Sequence, residues 1–112
     1  MLEAIEQTHE KGFIHRDVKA SNFVLSKDKK SVFIVDFGLA KHHLKRSGKP
    51  IPQRKKADFR GTVSFASLNA HNQQDLSRRD DLWSFYFVLL DFFNESLPWR
   101  ENKNLTMVSM EY

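Results

Sequence analysis

Two carboxylates, a carboxamide and an ammonium group stand within 20 consecutive positions: Asp17, Lys19, Asn22 and Asp36. Asp17 lies in the run His15-Arg16-Asp17-Val18-Lys19-Ala20-Ser21-Asn22, and Asp36 opens Asp36-Phe37-Gly38 fourteen residues after Asn22. A carboxylate held against a hydroxyl can accept its proton, an effect worth about a hundredfold to ten-thousandfold in rate. Amide and carboxylate oxygens are hard donors, and Mg²⁺ usually takes only one or two protein carboxylates, completing its octahedron with water and phosphate oxygens. Phosphoryl transfer needs this kind of set, namely a positioned acceptor oxygen, neutralised phosphate charge and near in-line geometry. The plainer alternative, that Asp17 and Asp36 are ordinary turn carboxylates, stays open on residue types alone.

The flanking sequence says how these groups are positioned. Leu2, Ala4, Ile5 and His9 fall at helical spacing, and Gly12 is placed to end that helix in a left-handed cap. Phe23-Val24-Leu25 and Val32-Phe33-Ile34-Val35 are β-rich runs around the polar stretch Ser26 to Ser31, which predicts a short hairpin. Its open end would bring Asn22 and Asp36 together. The stretch from Gly38 to Gly61 is irregular and long for a loop, which points to function or disorder. From Asp80 to Phe93 the sequence is apolar on nearly every face, which predicts a buried helix and makes its aromatic cluster core. Ser77 and Asp80 read as a capping box with Asp in place of Glu, and Pro98 marks the far side.

The two motifs together resemble the catalytic loop and metal-binding loop of eukaryotic protein kinases. The resemblance implies an α+β, protein-kinase-like fold, with residues 1–112 forming one partial kinase domain. That part would be a mostly helical C-lobe fragment with a short β-hairpin and no N-lobe. It also implies roles. Asp17 would orient the substrate hydroxyl and take its proton, Lys19 would reach the transferring phosphate of ATP, and Asn22 and Asp36 would hold Mg²⁺.

Further along, Phe59-Arg60-Gly61-Thr62-Val63-Ser64-Phe65-Ala66-Ser67-Leu68-Asn69 and Ser77-Arg78-Arg79-Asp80-Asp81-Leu82-Trp83-Ser84 resemble the casein kinase I superfamily. Phe59 to Val63, Trp83 and Leu97-Pro98-Trp99-Arg100 look closest to its tau tubulin kinase branch. By that resemblance Thr62 contacts the catalytic aspartate and lysine, and Lys19 with Thr62 implies serine/threonine specificity. Asp81 would be a buried helix carboxylate bonded to the backbone around His15 and Arg16. Its other reading, a charge complementing a helix N-terminus, is compatible with this.

Some positions depart from the pattern. Ala20 stands where kinases usually carry proline, in a position that does no chemistry. Ser64 replaces an arginine that binds phosphate on primed or acidic substrates in many relatives, which leaves acidic preference open. Seven Lys or Arg and no acid lie from Lys41 to Lys56, and they could attract acidic peptides or be merely solvated. Ser47 is the single hydroxyl between Gly38 and Gly61, so activation by phosphorylation there has little to work with.

Composition bounds the rest. With 40% apolar and 29% charged residues the chain reads as a globular domain, and the net charge of +4 lies in a loop broken by Gly48, Pro50 and Pro52 rather than on a recognition helix. The resemblance implies protein substrates with Ser or Thr as partners, and the charge placement and lack of a long apolar run point away from nucleic acid and a membrane. The acidic opening residues and lack of a long apolar run suggest an intracellular protein, cytoplasmic or nuclear. Zero cysteines excludes disulfides and thiolate chemistry, and the adjacent His42-His43 read as a solvated loop pair. The glycine-rich loop, strand lysine and helix glutamate that clamp ATP in kinases are not found in these 112 residues. Negligible activity is expected of them alone, and a non-catalytic kinase-derived module binding an acidic partner is the alternative reading. Apolar surface is then expected to be exposed around Trp83, Phe85 and Phe92.

Overall fold

The computed structural model describes residues 1–94 and 97–100. The first helix, α1 (Leu2–Glu10), buries Ala4, Ile5 and Thr8 and stops where expected: Gly12 adopts φ +91°, and its N–H reaches the His9 carbonyl at 3.0 Å. Strand β1 (Phe13–Ile14) follows at once and pairs antiparallel with β4 (Lys41–His42), so the stretch after Gly38 is not wholly irregular as the sequence suggested. Two-residue strands carry too few side chains for any period to show. His42 is accordingly a strand residue with its ring on Phe13, and His43 is half-buried against the His9 carbonyl at 3.0 Å, rather than both lying in a solvated loop.

The predicted hairpin forms from β2 (Phe23–Leu25) and β3 (Val32–Ile34), with Phe23 opposite Ile34 and Leu25 opposite Val32. Val35 lies just past β3, yet its N–H donates to the Asn22 carbonyl at 2.8 Å and continues the ladder by one bond. Helix α2 (Leu68–His71) is a single turn capped by the Ser67 hydroxyl.

Helix α3 (Arg78–Phe93) starts two residues before the predicted Asp80, because Ser77 caps it and donates its N–H to the Asp80 carboxylate at 2.8 Å. Phe87 packs edge-on against Trp99, with centroids 5.4 Å apart, in a small core shared with Leu97, Val63, Phe65 and Leu90. Burying one such ring stabilises by about 1.5–3 kcal/mol. The expectation that the whole aromatic cluster of α3 is core is corrected here. Leu82, Trp83, Tyr86, Phe92 and Phe93 are exposed, with Phe93 at 82%. The narrower expectation of exposed apolar surface holds for Trp83 and Phe92, while Phe85 is half-buried. Among the described residues the architecture is α+β, with more chain in three helices than in four short strands and neither between 43 and 62.

Candidate active site

The loop that follows β1 is held from below by one carboxylate. Asp81, in the first turn of α3 and 1% exposed, accepts the N–H of His15 at 2.8 Å, the N–H of Arg16 at 2.9 Å and His9 Nε2 at 2.7 Å. The backbone contacts are those the resemblance implied, and His9 is an addition. Arg16 lies at φ +68°, a left-handed conformation that an L-residue keeps only when its surroundings fix it. Its Nε donates to the Leu39 carbonyl at 2.6 Å. Burial, and then repulsion from Arg60 and Arg54, lowers the pKa of its guanidinium.

His15 is fully buried and joins this loop to the hairpin. The Asp17 N–H donates to its Nδ1 at 3.2 Å, so Nδ1 is the unprotonated nitrogen and Nε2 carries the hydrogen that meets the Val35 carbonyl at 2.9 Å. Val35 is bonded to Asn22 on one side and followed by Asp36 on the other. Ring and ladder thereby fix the spacing of the two motifs.

The side chains of Asp17, Lys19, Asn22 and Thr62 converge. Thr62 Oγ1 donates to Asp17 Oδ1 at 2.7 Å and accepts from Lys19 Nζ at 3.0 Å. Lys19 Nζ is also 3.6 Å from Asp17 Oδ2. Asn22 is buried, and its Nδ2 donates to the Asp17 carbonyl at 2.8 Å. That bond fixes the amide with its acceptor oxygen, Oδ1, at the opposite end. Asp36 is exposed at φ +62°, and its Oδ1 accepts the Gly38 N–H at 3.3 Å. An amide oxygen and an exposed carboxylate at one end of a hairpin are hard donors that fit Mg²⁺.

Thr62 reaches Asp17 because Gly61 allows it. At Gly61, φ is +108°, and a Cβ there would stand 2.7 Å from the Arg16 carbonyl oxygen. Only a residue without a side chain lets the two segments approach so closely.

The basic stretch is less free than its composition suggested. Asp75, 2% exposed, accepts Lys41 Nζ at 2.8 Å, Arg54 Nη2 at 2.8 Å and the Arg54 N–H at 2.9 Å. Burial pushes its pKa up, but the hydrogen bonds from Arg54 and Lys41 outweigh that and hold it well below the usual carboxylate range. Lys45, Arg46, Lys49, Lys55, Lys56 and Arg60 remain exposed. Nearby, Asp80 accepts the Ser67 hydroxyl at 2.7 Å and Asn69 Nδ2 at 3.0 Å, which ties the start of α2 to α3. Sequence reasoning missed Asp75 and His9 as organising groups, and for Asp80 it found the capping box with Ser77 but not the bonds to Ser67 and Asn69. The partners of Asp75 lie 34 and 21 residues back along the chain, at Lys41 and Arg54, beyond the reach of a local pattern.

The family model of the protein kinase domain matches residues 1–112. A probable serine/threonine-protein kinase of Dictyostelium discoideum is 44% identical over 107 residues, covering 93% of this chain. The chain spans 22% of that relative's length.

Proposed function

This chain belongs to the protein kinase family, and on that premise we propose that it carries the phosphoryl-transfer centre of a serine/threonine protein kinase resembling casein kinase I, and within that superfamily the tau tubulin kinase branch. The reaction moves the γ-phosphate of ATP to a protein hydroxyl. Residues 1–112 are read as a C-lobe portion of the domain, and the activity and substrates of the whole protein are part of this proposal.

One observation carries the reading: Thr62 bridges Asp17 and Lys19 through a single hydroxyl. Asp17 Oδ1 holds the short bond from Thr62, and Oδ2, with only the longer contacts to Asn22 Nδ2 at 3.5 Å and Lys19 Nζ at 3.6 Å, would take the proton of an incoming alcohol. Lys19, held at Nζ by the same threonine, places its charge against the transferring phosphate. Asn22 through Oδ1 and Asp36 through its carboxylate would hold Mg²⁺, which when bound neutralises phosphate charge. The buried Asp81 keeps the loop in the left-handed turn at Arg16 that presents Asp17.

Lys19 and Thr62 in this arrangement favour serine or threonine as acceptor. Arg60 and the exposed lysines favour acidic surroundings for it, by attraction that weakens with salt. Neither nucleic acid nor membrane enters the proposal, and no helix among the described residues is long and apolar enough to cross a membrane. The test is phosphoamino-acid analysis after incubating the full-length protein with γ-labelled ATP, Mg²⁺ and peptide acceptors. Label on serine or threonine, greatest in acidic peptides, is expected. Label confined to tyrosine would overturn the reading.

A further inference from the structure

Residues 54–63 lie along the end of α2 and its connection to α3 and touch them four times. Arg54 is bonded to Asp75, and the Ala57 N–H donates to the Gln73 carbonyl at 2.8 Å. The Phe59 ring lies on the His71 ring, centroids 5.6 Å apart, and His71 Nε2 donates to the Val63 carbonyl at 3.1 Å. Residues 71–75 therefore act as a rail for residues 54–63. Asp75 is the charged end of that rail. Its carboxylate also takes Lys41, the first residue of β4, while the Gln53 side chain donates to its backbone carbonyl at 3.1 Å.

Resting on the kinase reading above, we infer that Asp75 is a positioning residue: one buried carboxylate pins both ends of the 41–54 segment and, through the rail, sets Thr62 against Asp17 and shapes the acceptor side of the site. Electrostatics strengthens the argument. Lys41 and Arg54 converge on Asp75, and Arg16, which Arg54 and Arg60 repel, is attracted by Asp75 and Asp81. With Asp75 neutral, the cations lose their shared partner and repel one another, and the segment has reason to lift. Switching segments in many proteins are ordered by an added phosphate paired with cations. Here a carboxylate of the chain occupies that electrostatic role.

The experiment compares Asp75→Asn, and Arg54→Ala in case the first variant fails to fold, with the unaltered full-length protein in two measurements. Amide hydrogen exchange should accelerate across residues 43–60 while α1 and α3 keep their protection. In kinetics, the acceptor-peptide KM should rise about tenfold and kcat should fall, with the KM for ATP unchanged, a split that general destabilisation would not give. Unchanged exchange at 43–60 in a folded variant overturns the inference, and so does faster exchange with unaltered acceptor kinetics. An unaltered protein that transfers no phosphate overturns the proposed function, and the exchange measurement then decides alone whether Asp75 holds the segment.

Discussion

The Thr62 hydroxyl donates to Asp17 Oδ1 at 2.7 Å across 45 residues of chain, and Thr62 Oγ1 in turn accepts from Lys19 Nζ at 3.0 Å. Three segments distant in sequence are needed to make that contact. β1 delivers the loop, Asp81 holds it from beneath, and the rail of residues 71–75 delivers Thr62 from the other side.

Thr62→Val keeps the shape and removes the relay. A hydrogen bond to a charged group contributes about 1.5–3 kcal/mol, so kcat should fall about tenfold to a hundredfold. The urea unfolding midpoint should fall as well, since the same bonds to Asp17 and Lys19 hold the folded loop. A variant with unaltered kcat would mean that the threonine does not orient the aspartate.

Gly61→Ala tests the close approach that makes the relay possible. The added methyl would meet a backbone oxygen, Arg16 O, at 2.7 Å, and the residue would have to hold φ +108°. A cost of about 1–3 kcal/mol is expected from the strained conformation, with loss of activity through displacement of Thr62. Chemical denaturation and initial rates measure the two effects separately.

Asp81→Ala leaves the His15 and Arg16 N–H groups without their acceptor in a site that is 1% exposed. An unsatisfied buried donor costs about 1–3 kcal/mol, so the total should reach about 3 kcal/mol or more by denaturant unfolding. Asp81→Asn keeps one acceptor oxygen and should cost less. Equal stability of all three proteins would remove Asp81 from its place under the loop.

Acid should weaken the fold through two groups. Burial lowers the His71 pKa, with the Val63 carbonyl opposing it, so below about 6.5 the unfolded chain binds a proton that the folded one refuses. Stability from this group is full above that pH and is lost as pH falls. Asp75 has a lowered pKa as well, so its contribution is present above about 3.9 and disappears at lower pH. Urea midpoints measured from pH 8 to pH 2 should decline, and His71→Phe should flatten the upper part of that decline.

Much of this arrangement was legible in the sequence where local pattern and pairing coincide. The hairpin was, because two β-rich runs bracket one polar turn. The end of α1 was, because Gly12 is a residue that accepts a positive φ without strain. The Asp81 contacts were legible through the family resemblance. The β1–β4 pair was not, since two residues show no periodicity. The Asp75 bonds were not, because they reach back 34 residues to Lys41 and 21 to Arg54, and separation of that size leaves no trace in a local pattern. The all-round apolar pattern of α3 showed that the helix can be buried on many faces, but not which faces are covered. In the described residues Phe87 and Val88 are buried while Trp83 and Phe93 face outward.

The central claim is that Asp17 is the base at a phosphoryl-transfer site. The most direct measurement is the single-turnover rate of γ-phosphate transfer from ATP and Mg²⁺ to a serine peptide, for the full-length protein and its Asp17→Asn variant. The account predicts a rate lower by about a hundredfold to ten-thousandfold in the variant, with ATP binding retained. Equal rates in the two proteins would contradict it.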